Sequence, residues 1–155
     1  LIGIAQGFMP LAGYNYGANQ FDRVKSVINV SLIAGLAVSI VITAILLFSS
    51  NYIPYLFTKD PALIKHGPTA IFWIFSSTPI LVFLLIAPSY FQAIGKALPA
   101  LLLTLTKQGI FLIPLVFILP MFFGLEGIWY SFPISDSISA IICYYFLRKS
   151  SNKLT

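Results

Sequence analysis

The sequence predicts an all-α membrane protein, a polytopic helix bundle with four complete transmembrane helices and the end of a fifth. Charged residues make up 8% of the 155 residues and hydrophobic residues 59%, whereas a typical soluble domain carries about 25% charged residues. Apolar stretches also exceed the roughly 20 residues that a helix needs to cross a bilayer core. These stretches are residues 27–50, 67–95, 97–125 and 127–147. Because no water is available there, the backbone must satisfy its own hydrogen bonds as helix.

The first eleven residues form an apolar piece that is too short to span a bilayer. They are expected to be the end of a helix whose beginning is missing, because the chain opens on Leu1 within apolar sequence. We therefore expect the chain to be the C-terminal part of a larger protein. The missing N-terminal half is then its structural partner.

Two local signals predict where helices begin. Asn19 with Asp22 three residues later is a capping-box pattern, which predicts Asn19 as the N-cap of the first complete span. Asp60-Pro61 places an acidic N-cap before a proline at the first helical position. Together these signals predict a connection before the first span and a second helix start near residue 61.

The predicted elements alternate spans with short connections. In chain order they are the end of a helix (1–11), a loop (12–22), a span (23–50), a loop (51–66), a span (67–94), a turn (95–99), a span (100–120), a turn (121–127), a span (128–147) and a tail (148–155). Pro79, Pro88 and Pro114 each remove an intrahelical hydrogen bond within a span. We therefore expect broken or kinked helices at these prolines.

The placement of lysine and arginine predicts the orientation, because cytoplasmic loops carry an excess of these residues. One side has six of them, at Arg23, Lys25, Lys96, Arg148, Lys149 and Lys153. The other side has two, Lys59 and Lys65. The prediction is a multi-pass protein of the plasma or inner membrane whose loop 12–22, turn 95–99 and C-terminus are cytoplasmic. The loop 51–66 and the turn 121–127 then face outward.

Asp136 is the most informative residue inside a predicted span. A carboxylate in hydrocarbon is costly, so it is expected to face a bundle interior or a wet cavity. Ser131, Ser135 and Ser139 recur at every fourth position, and Asp136 flanks that stripe. Two interpretations stay open. Asp136, with Ser135, is a substrate or coupling candidate, or it is a structural carboxylate bonded to neighbouring hydroxyl and backbone groups.

Lys107 is the one basic residue well inside a predicted span. Its long side chain could extend to the cytoplasmic interface, or it could face a cavity as the partner of an acidic group. Gln108 beside it and Gln92 in the preceding span are candidates for lining a cavity. The alternative for both glutamines is hydrogen bonding between helices.

The residue types exclude several classes of function. The single cysteine, Cys143, cannot form an intrachain disulfide and is expected to be a buried small hydrophobe. The sequence lacks a cysteine–histidine cluster, a nucleophile triad and a paired carboxylate. We therefore predict neither an enzyme nor a cofactor or metal site. The net charge of +5 does not indicate a nucleic-acid partner, because in a membrane protein the positions of lysine and arginine report topology.

Several short motifs together resemble one family of transporters. They are residues 10–19 (PLAGYNYGAN), 23–25 (RVK), 91–97 (FQAIGKA), 107–115 (KQGIFLIPL), 124–129 (GLEGIW) and 133–136 (PISD). In order and spacing they resemble the multidrug and toxic-compound extrusion (MATE) transporters, with the bacterial drug-pump branch most similar. Pro10, Gly13, Asn15 and Gly17 are the residues that carry the loop motif.

The resemblance implies a twelve-helix protein of two lobes, in which this chain is the end of helix 8 followed by helices 9 to 12. The implied function is a secondary active multidrug exporter, a proton or cation antiporter that works by alternating access. Small amphipathic or cationic substrates, protons or sodium, and the lipid bilayer are the implied partners.

The chain departs from the family pattern at one stretch, and two alternative functions remain open. Some members have an acidic site in the stretch that matches residues 79–83, where this chain has no carboxylate; a sodium site in this lobe is therefore not expected. A lipid-linked oligosaccharide flippase of the same superfamily is one alternative, although only Lys107 could serve a pyrophosphate here. The other is a fragment that has no transport activity alone.

Overall fold

The computed structural model describes residues 1–153, apart from the side chain of Ala62, and every regular element in that part of the chain is helical. In chain order the helices are α1 (Ile2–Gly17), α2 (Phe21–Phe48), α3 (Ile53–Phe57), α4 (Pro61–Ser76), α5 (Leu81–Ala93), α6 (Ala97–Leu105), α7 (Ile113–Phe123) and α8 (Leu125–Ser151). A 3-10 turn, Thr78–Ile80, joins α4 to α5, and a π-helical segment, Thr106–Leu112, joins α6 to α7.

Three of the described helical runs are long and apolar enough to cross a membrane: Phe21–Phe48, Leu63–Ala93 and Ala97–Phe123. They correspond to the first three predicted spans, and they make the chain a multi-pass membrane protein. Helix α8 has sufficient length, at 27 residues, but its serines and Asp136 make it more polar than the other three. The fourth span therefore stays a prediction.

The prediction of a loop over residues 12–22 is wrong for most of its length. Helix α1 continues through Pro10 to Gly17, because buried Ala12 and Asn15 pack its last turns against the neighbouring helices. Asn19 is not an N-cap. It adopts a left-handed φ of 56° and ends α1, while the Gln20 N–H donates to the Asn15 carbonyl at 2.9 Å, as in a Schellman motif.

The outer connection also differs from the prediction. Residues 53–57 form the short helix α3, with Pro54 in its first turn. Helix α4 begins at Pro61, as the start signal predicted, and continues through Pro68. The second span therefore begins several residues earlier than expected. It is broken later, at the 3-10 turn that contains Pro79.

The last two connections are shorter than predicted. Gly95, with a left-handed φ of 75°, ends α5. Helix α6 starts at Ala97, two residues before Pro99, because a proline is tolerated in the first turn of a helix. Between α7 and α8 only Gly124 is non-helical. A Cβ on Gly127 would lie 2.5 Å from the carbonyl group of Leu119, so glycine is needed where α8 crosses α7. Helix α8 also continues into the predicted tail, to Ser151.

Helix α5 lies at the centre of the bundle, where it contacts α1, α2, α6 and α8. The core is built from buried side chains such as Phe8 of α1, Ile28 of α2, and Ile86 and Tyr90 of α5. Large apolar side chains also cover the outside of the described helices, for example Val41 and Phe117. Lipid tails are as apolar as leucine, so such a surface suits a bilayer.

Candidate functional site: a buried lysine–aspartate pair

The two isolated charges of the predicted spans contact each other. The Nζ of Lys107 lies 3.0 Å from Oδ1 of Asp136, and the lysine side chain is 26% exposed while the aspartate side chain is 4% exposed. Two interpretations of Lys107 were open. In the structure its side chain contacts an acidic partner and does not extend to the cytoplasmic interface. The pair joins the π segment to α8.

The other carboxylate oxygen has a hydroxyl partner. Ser77 Oγ donates a hydrogen bond of 2.6 Å to Oδ2 of Asp136. Both residues are buried, and a hydrogen bond to a charged group is shorter and stronger than one between neutral groups. The carboxylate thus contacts one cation and one hydroxyl, each from a different element.

The π segment presents Lys107 to α8 through its backbone as well as its side chain. Ser135 Oγ donates to the Lys107 carbonyl at 3.0 Å, so consecutive residues of α8 contact the same residue of the π segment. The segment ends directly before the first turn of α7, which contains Pro114. A proline has no N–H and clashes with the preceding turn, which accounts for a helix irregularity at this point.

The serine stripe of α8 is buried against the bundle. Ser131, Ser135 and Ser139 have no exposed surface, and Ser131 Oγ donates to the Gly127 carbonyl at 2.8 Å. Ser139 Oγ is buried without a hydrogen-bond partner among the described residues. Its hydroxyl lies one helical turn from the aspartate, on the face that Ser135 uses.

The two predicted glutamines lie in different places. Gln108 lines a cavity of about 580 Å³ together with Lys107, Thr104 and leucines of α5 and α6. Gln92 is exposed near the end of α5, and neither the pair nor this cavity includes it. Within the described residues, no group of three histidine, cysteine, aspartate or glutamate side chains could hold a metal ion.

All four residues of the loop motif lie on α1. Two of them, Gly13 and Asn15, lie where the helix packs against the bundle. A Cβ on Gly13 would lie 3.1 Å from the carbonyl oxygen of Ala93, so α1 and α5 approach closely there. Asn15 Nδ2 donates to the Leu11 carbonyl at 2.7 Å. Pro10 and Gly17 are exposed.

Ser77 is the contact that the sequence analysis missed. Its signal was weak, because serine is common in spans and the charged partner is 59 residues away in the sequence. The available hint was its position two residues before Pro79. The proline interrupts the helix within an apolar span, and the serine lies at this interruption. There its hydroxyl can donate a hydrogen bond to a carboxylate that is buried in the same bundle.

Comparisons with known proteins agree with this architecture. The MatE family model matches residues 1–118. The multidrug export protein MepA of Staphylococcus haemolyticus is 25% identical over 155 residues, which are 100% of this chain and 34% of that protein. MepA of Staphylococcus aureus strain N315 is 29% identical over 96% of this chain and 33% of that protein.

Solved structures share the fold. An outward-facing multidrug resistance MATE family transporter of the MOP superfamily superposes with a TM-score of 0.91 at 18% identity, over 97% of this chain and 34% of that chain. The MATE multidrug transporter DinF-BH has a TM-score of 0.88 and 38% identity, over 97% and 34% of the respective chains. This chain thus spans about a third of the length of its relatives. Because the family model covers most of the sequence, the chain belongs to the MatE family, the multidrug and toxic-compound extrusion transporters.

Proposed function

We propose that this chain is the C-terminal part of a secondary active multidrug exporter, a proton or cation antiporter that works by alternating access. In this proposal the protein has twelve helices in two lobes, and the chain supplies the end of helix 8 and helices 9 to 12. The C-terminus and the connection between α1 and α2 are cytoplasmic. The substrates are small amphipathic or cationic molecules.

The observation that carries the proposal is the buried contact of Asp136 with Lys107 and Ser77 inside apolar spans. Charged residues within a membrane are costly, and where they occur they mark substrate or ion pathways. Asp136 is the titratable acid of this cluster, and Lys107 is its counter-ion. A proton that binds Asp136 would remove the attraction that connects the π segment to α8.

The fold comparisons support movement of this part as a unit. The outward-facing relative superposes with a TM-score of 0.91, and an inward-facing structure of a multidrug resistance MATE family transporter also has a TM-score of 0.91, at 18% identity. An equal match to both states is what rocking of two nearly rigid lobes requires. Substrate access would then change between the lobes rather than within this one.

Dye efflux tests the proposed function. Drug-sensitive cells that express the full-length protein containing this chain are loaded with the cationic dye ethidium, and efflux is recorded with and without a proton uncoupler. We expect active efflux that collapses when the proton gradient is removed. Replacing external sodium by potassium separates a sodium antiporter from a proton antiporter.

Absence of efflux from a well-expressed and correctly inserted protein would contradict the exporter. That outcome would favour the flippase alternative, for which several arginines inside the spans of the remaining part of the protein would be needed. The same assay on the 155-residue chain alone tests the alternative of an inactive fragment. We expect no efflux from it, because part of one lobe cannot form a cavity between two lobes.

A further inference from the structure

The beginning of α2 and the end of α8 form a basic cavity at the same end of the bundle. The cavity has a volume of about 260 Å³, and its lining includes Lys25 and Asn29 of α2 and Tyr144 and Arg148 of α8. The buried side chain of Leu147 adds an apolar surface. The polar side chains around the cavity thus offer two cations, an amide and a phenol hydroxyl, all of which can donate hydrogen bonds.

An aromatic side chain holds the guanidinium of Arg148 at this cavity. Its Nη1 donates a hydrogen bond of 3.0 Å to the Tyr144 hydroxyl, and its central carbon lies 5.9 Å from the centre of the same ring. A guanidinium has five N–H donors in a planar fork, so this contact leaves donors for an anion. The fork matches two oxygens of one phosphate group.

The positive charge around this cavity is not balanced by acidic side chains. Within the described residues, no carboxylate lies within 4.0 Å of the charged nitrogens of Lys25, Arg148 or Lys149. The last turn of a helix favours cations through its dipole, which accounts for the two basic residues at the end of α8. It does not account for Lys25, which lies near the beginning of α2. The three cations therefore attract an anion from outside the described part of the chain.

A second cavity continues from these cations along the outside of α8. It has a volume of about 490 Å³, shares Tyr144 and Arg148 with the first, and adds Ile141, Tyr145 and Lys149. Ile141 is 70% exposed, and at about 1.5 Å of rise per residue it lies about 10 Å from Arg148 along the helix. The surface of α8 is thus basic at its end and apolar about two turns earlier. A phospholipid has the same order, with its phosphate outside its acyl chains.

We propose that this end of α2 and α8 binds an anionic phospholipid, whose phosphate accepts hydrogen bonds from Lys25 and Arg148 while one acyl chain packs on Ile141. Basic pockets between transmembrane helices on the cytoplasmic side bind such headgroups, and the proposed orientation places this cavity there. A zwitterionic phospholipid is disfavoured, because its ammonium adds a further positive charge beside three cations. The proposal goes beyond the export activity, since it concerns a lipid of the surrounding bilayer.

Native mass spectrometry of the purified full-length protein tests the proposal, because it resolves each bound lipid by its mass. The protein in detergent is titrated with dioleoylphosphatidylglycerol, with dioleoylphosphatidylcholine or with inorganic phosphate, and the dissociation constants of the first bound molecule are compared. We expect phosphatidylglycerol to bind about fivefold more tightly than phosphatidylcholine, as one additional charge contact would give. Inorganic phosphate should bind more weakly than phosphatidylglycerol, because it lacks an acyl chain.

Three outcomes of these titrations would overturn the proposal. Equal affinities for the two lipids would show that the site does not select a negative charge. Phosphate that binds as tightly as phosphatidylglycerol would show that the acyl chain contributes nothing. The third outcome is that phosphatidylglycerol does not bind the full-length protein, in which the remaining helices can also contact α2 and α8.

Two variants with matched controls assign the binding to this site. Arg148→Gln and Lys25→Gln should each weaken the binding of phosphatidylglycerol about fivefold. Arg23→Gln and Lys96→Gln remove the same charges from exposed positions outside both cavities, on the same predicted side of the membrane, and should leave the affinity unchanged. Equal weakening by all four variants would indicate attraction to the overall charge of the protein and would overturn the site.

Folding and transport are controlled separately from binding. Wild-type and variant proteins of different mass are titrated in the same solution, and the narrow charge-state distribution of a folded protein is read from the same spectra. A folded Arg148→Gln protein with wild-type affinity for phosphatidylglycerol would overturn the site. Because the measurement needs no transport, selective binding supports the site whether or not the protein exports ethidium.

Discussion

Ser77 and Asp136 are 59 residues apart in the sequence, yet the serine hydroxyl lies 2.6 Å from Oδ2 of the aspartate. The serine directly precedes the 3-10 turn, and the aspartate's other oxygen contacts Lys107 of the π segment. One carboxylate therefore connects α8 to the irregular stretches of two neighbouring spans. Such π segments occur frequently at functional sites, and helix breaks are the points where a span can bend.

Removing the serine hydroxyl should destabilise the protein measurably. Ser77→Ala leaves the buried carboxylate without its neutral donor, and we expect a loss of about 1.5–3 kcal/mol, the contribution of a hydrogen bond to a charged group. The measurement is the unfolding free energy of the full-length protein in detergent. Ser76→Ala is the control, because Ser76 Oγ donates to the Trp73 carbonyl of its own helix, at 2.8 Å. Equal losses in both variants would contradict the assigned role of Ser77.

A double-mutant cycle across the ion pair should show an asymmetry. Lys107→Met leaves the buried aspartate without its counter-ion, and breaking a buried pair in this way costs about 3–5 kcal/mol. Asp136→Asn leaves a lysine that is 26% exposed, which water can partly solvate, so we expect a smaller loss. The double variant should lose less than the sum of the two single losses. Additive losses, measured in the same unfolding assay, would mean that the two charges do not interact.

The sequence identified both charges of the site because isolated ionisable residues are conspicuous in apolar spans. It left their pairing open, since Lys107 and Asp136 lie on different predicted helices whose relative rotation depends on packing. The π segment explains part of this uncertainty. A π turn rotates the following residues away from the positions that an α-helix would give them, and Pro114 alone predicts a break but not its type.

Helix ends were predicted less well than spans, for a physical reason. Pro10 and Gly13 weaken a helix locally, yet α1 continues past both because Ala12 and Asn15 are buried against other helices. Tertiary contacts thus override local propensity. By residue type, Asn19 could be either the N-cap of α2 or a left-handed residue that ends α1. The hydrogen bond from the Gln20 N–H to the Asn15 carbonyl closes the end of α1 around Asn19, and so assigns it the second role.

Because α1 and α5 approach closely at Gly13, substitution of Gly13 should destabilise the protein more than substitution of Gly17, another glycine of the loop motif. Gly13→Val should cost about 1–3 kcal/mol, the usual cost of overpacking, because even a Cβ would lie 3.1 Å from the Ala93 carbonyl oxygen. Gly17→Ala should be neutral or slightly stabilising, since no atom lies within 4 Å of the added Cβ. Thermal unfolding of the two variants compares them. Equal destabilisation would show that the motif does more than pack these helices.

Asp136 should be required for the pH dependence of transport. If its protonation drives the antiport step, Asp136→Asn removes the carboxylate that would accept the proton, and ethidium efflux should be abolished or become independent of pH. The measurement is the initial efflux rate at a series of external pH values, at matched expression. Loss of transport alone could reflect a misfolded protein, so the unfolding assay accompanies it.

Glu126→Gln is the matched control for that experiment, because it makes the same chemical change on the same helix. Glu126 is exposed and accepts a hydrogen bond of 2.6 Å from the Tyr130 hydroxyl. At about 1.5 Å of rise per residue it lies about 15 Å along the helix from the ion pair, so its removal should leave the pH profile unchanged. If instead Asp136→Asn keeps the wild-type profile at every pH, proton coupling does not pass through this residue, and its contacts with Lys107 and Ser77 are structural.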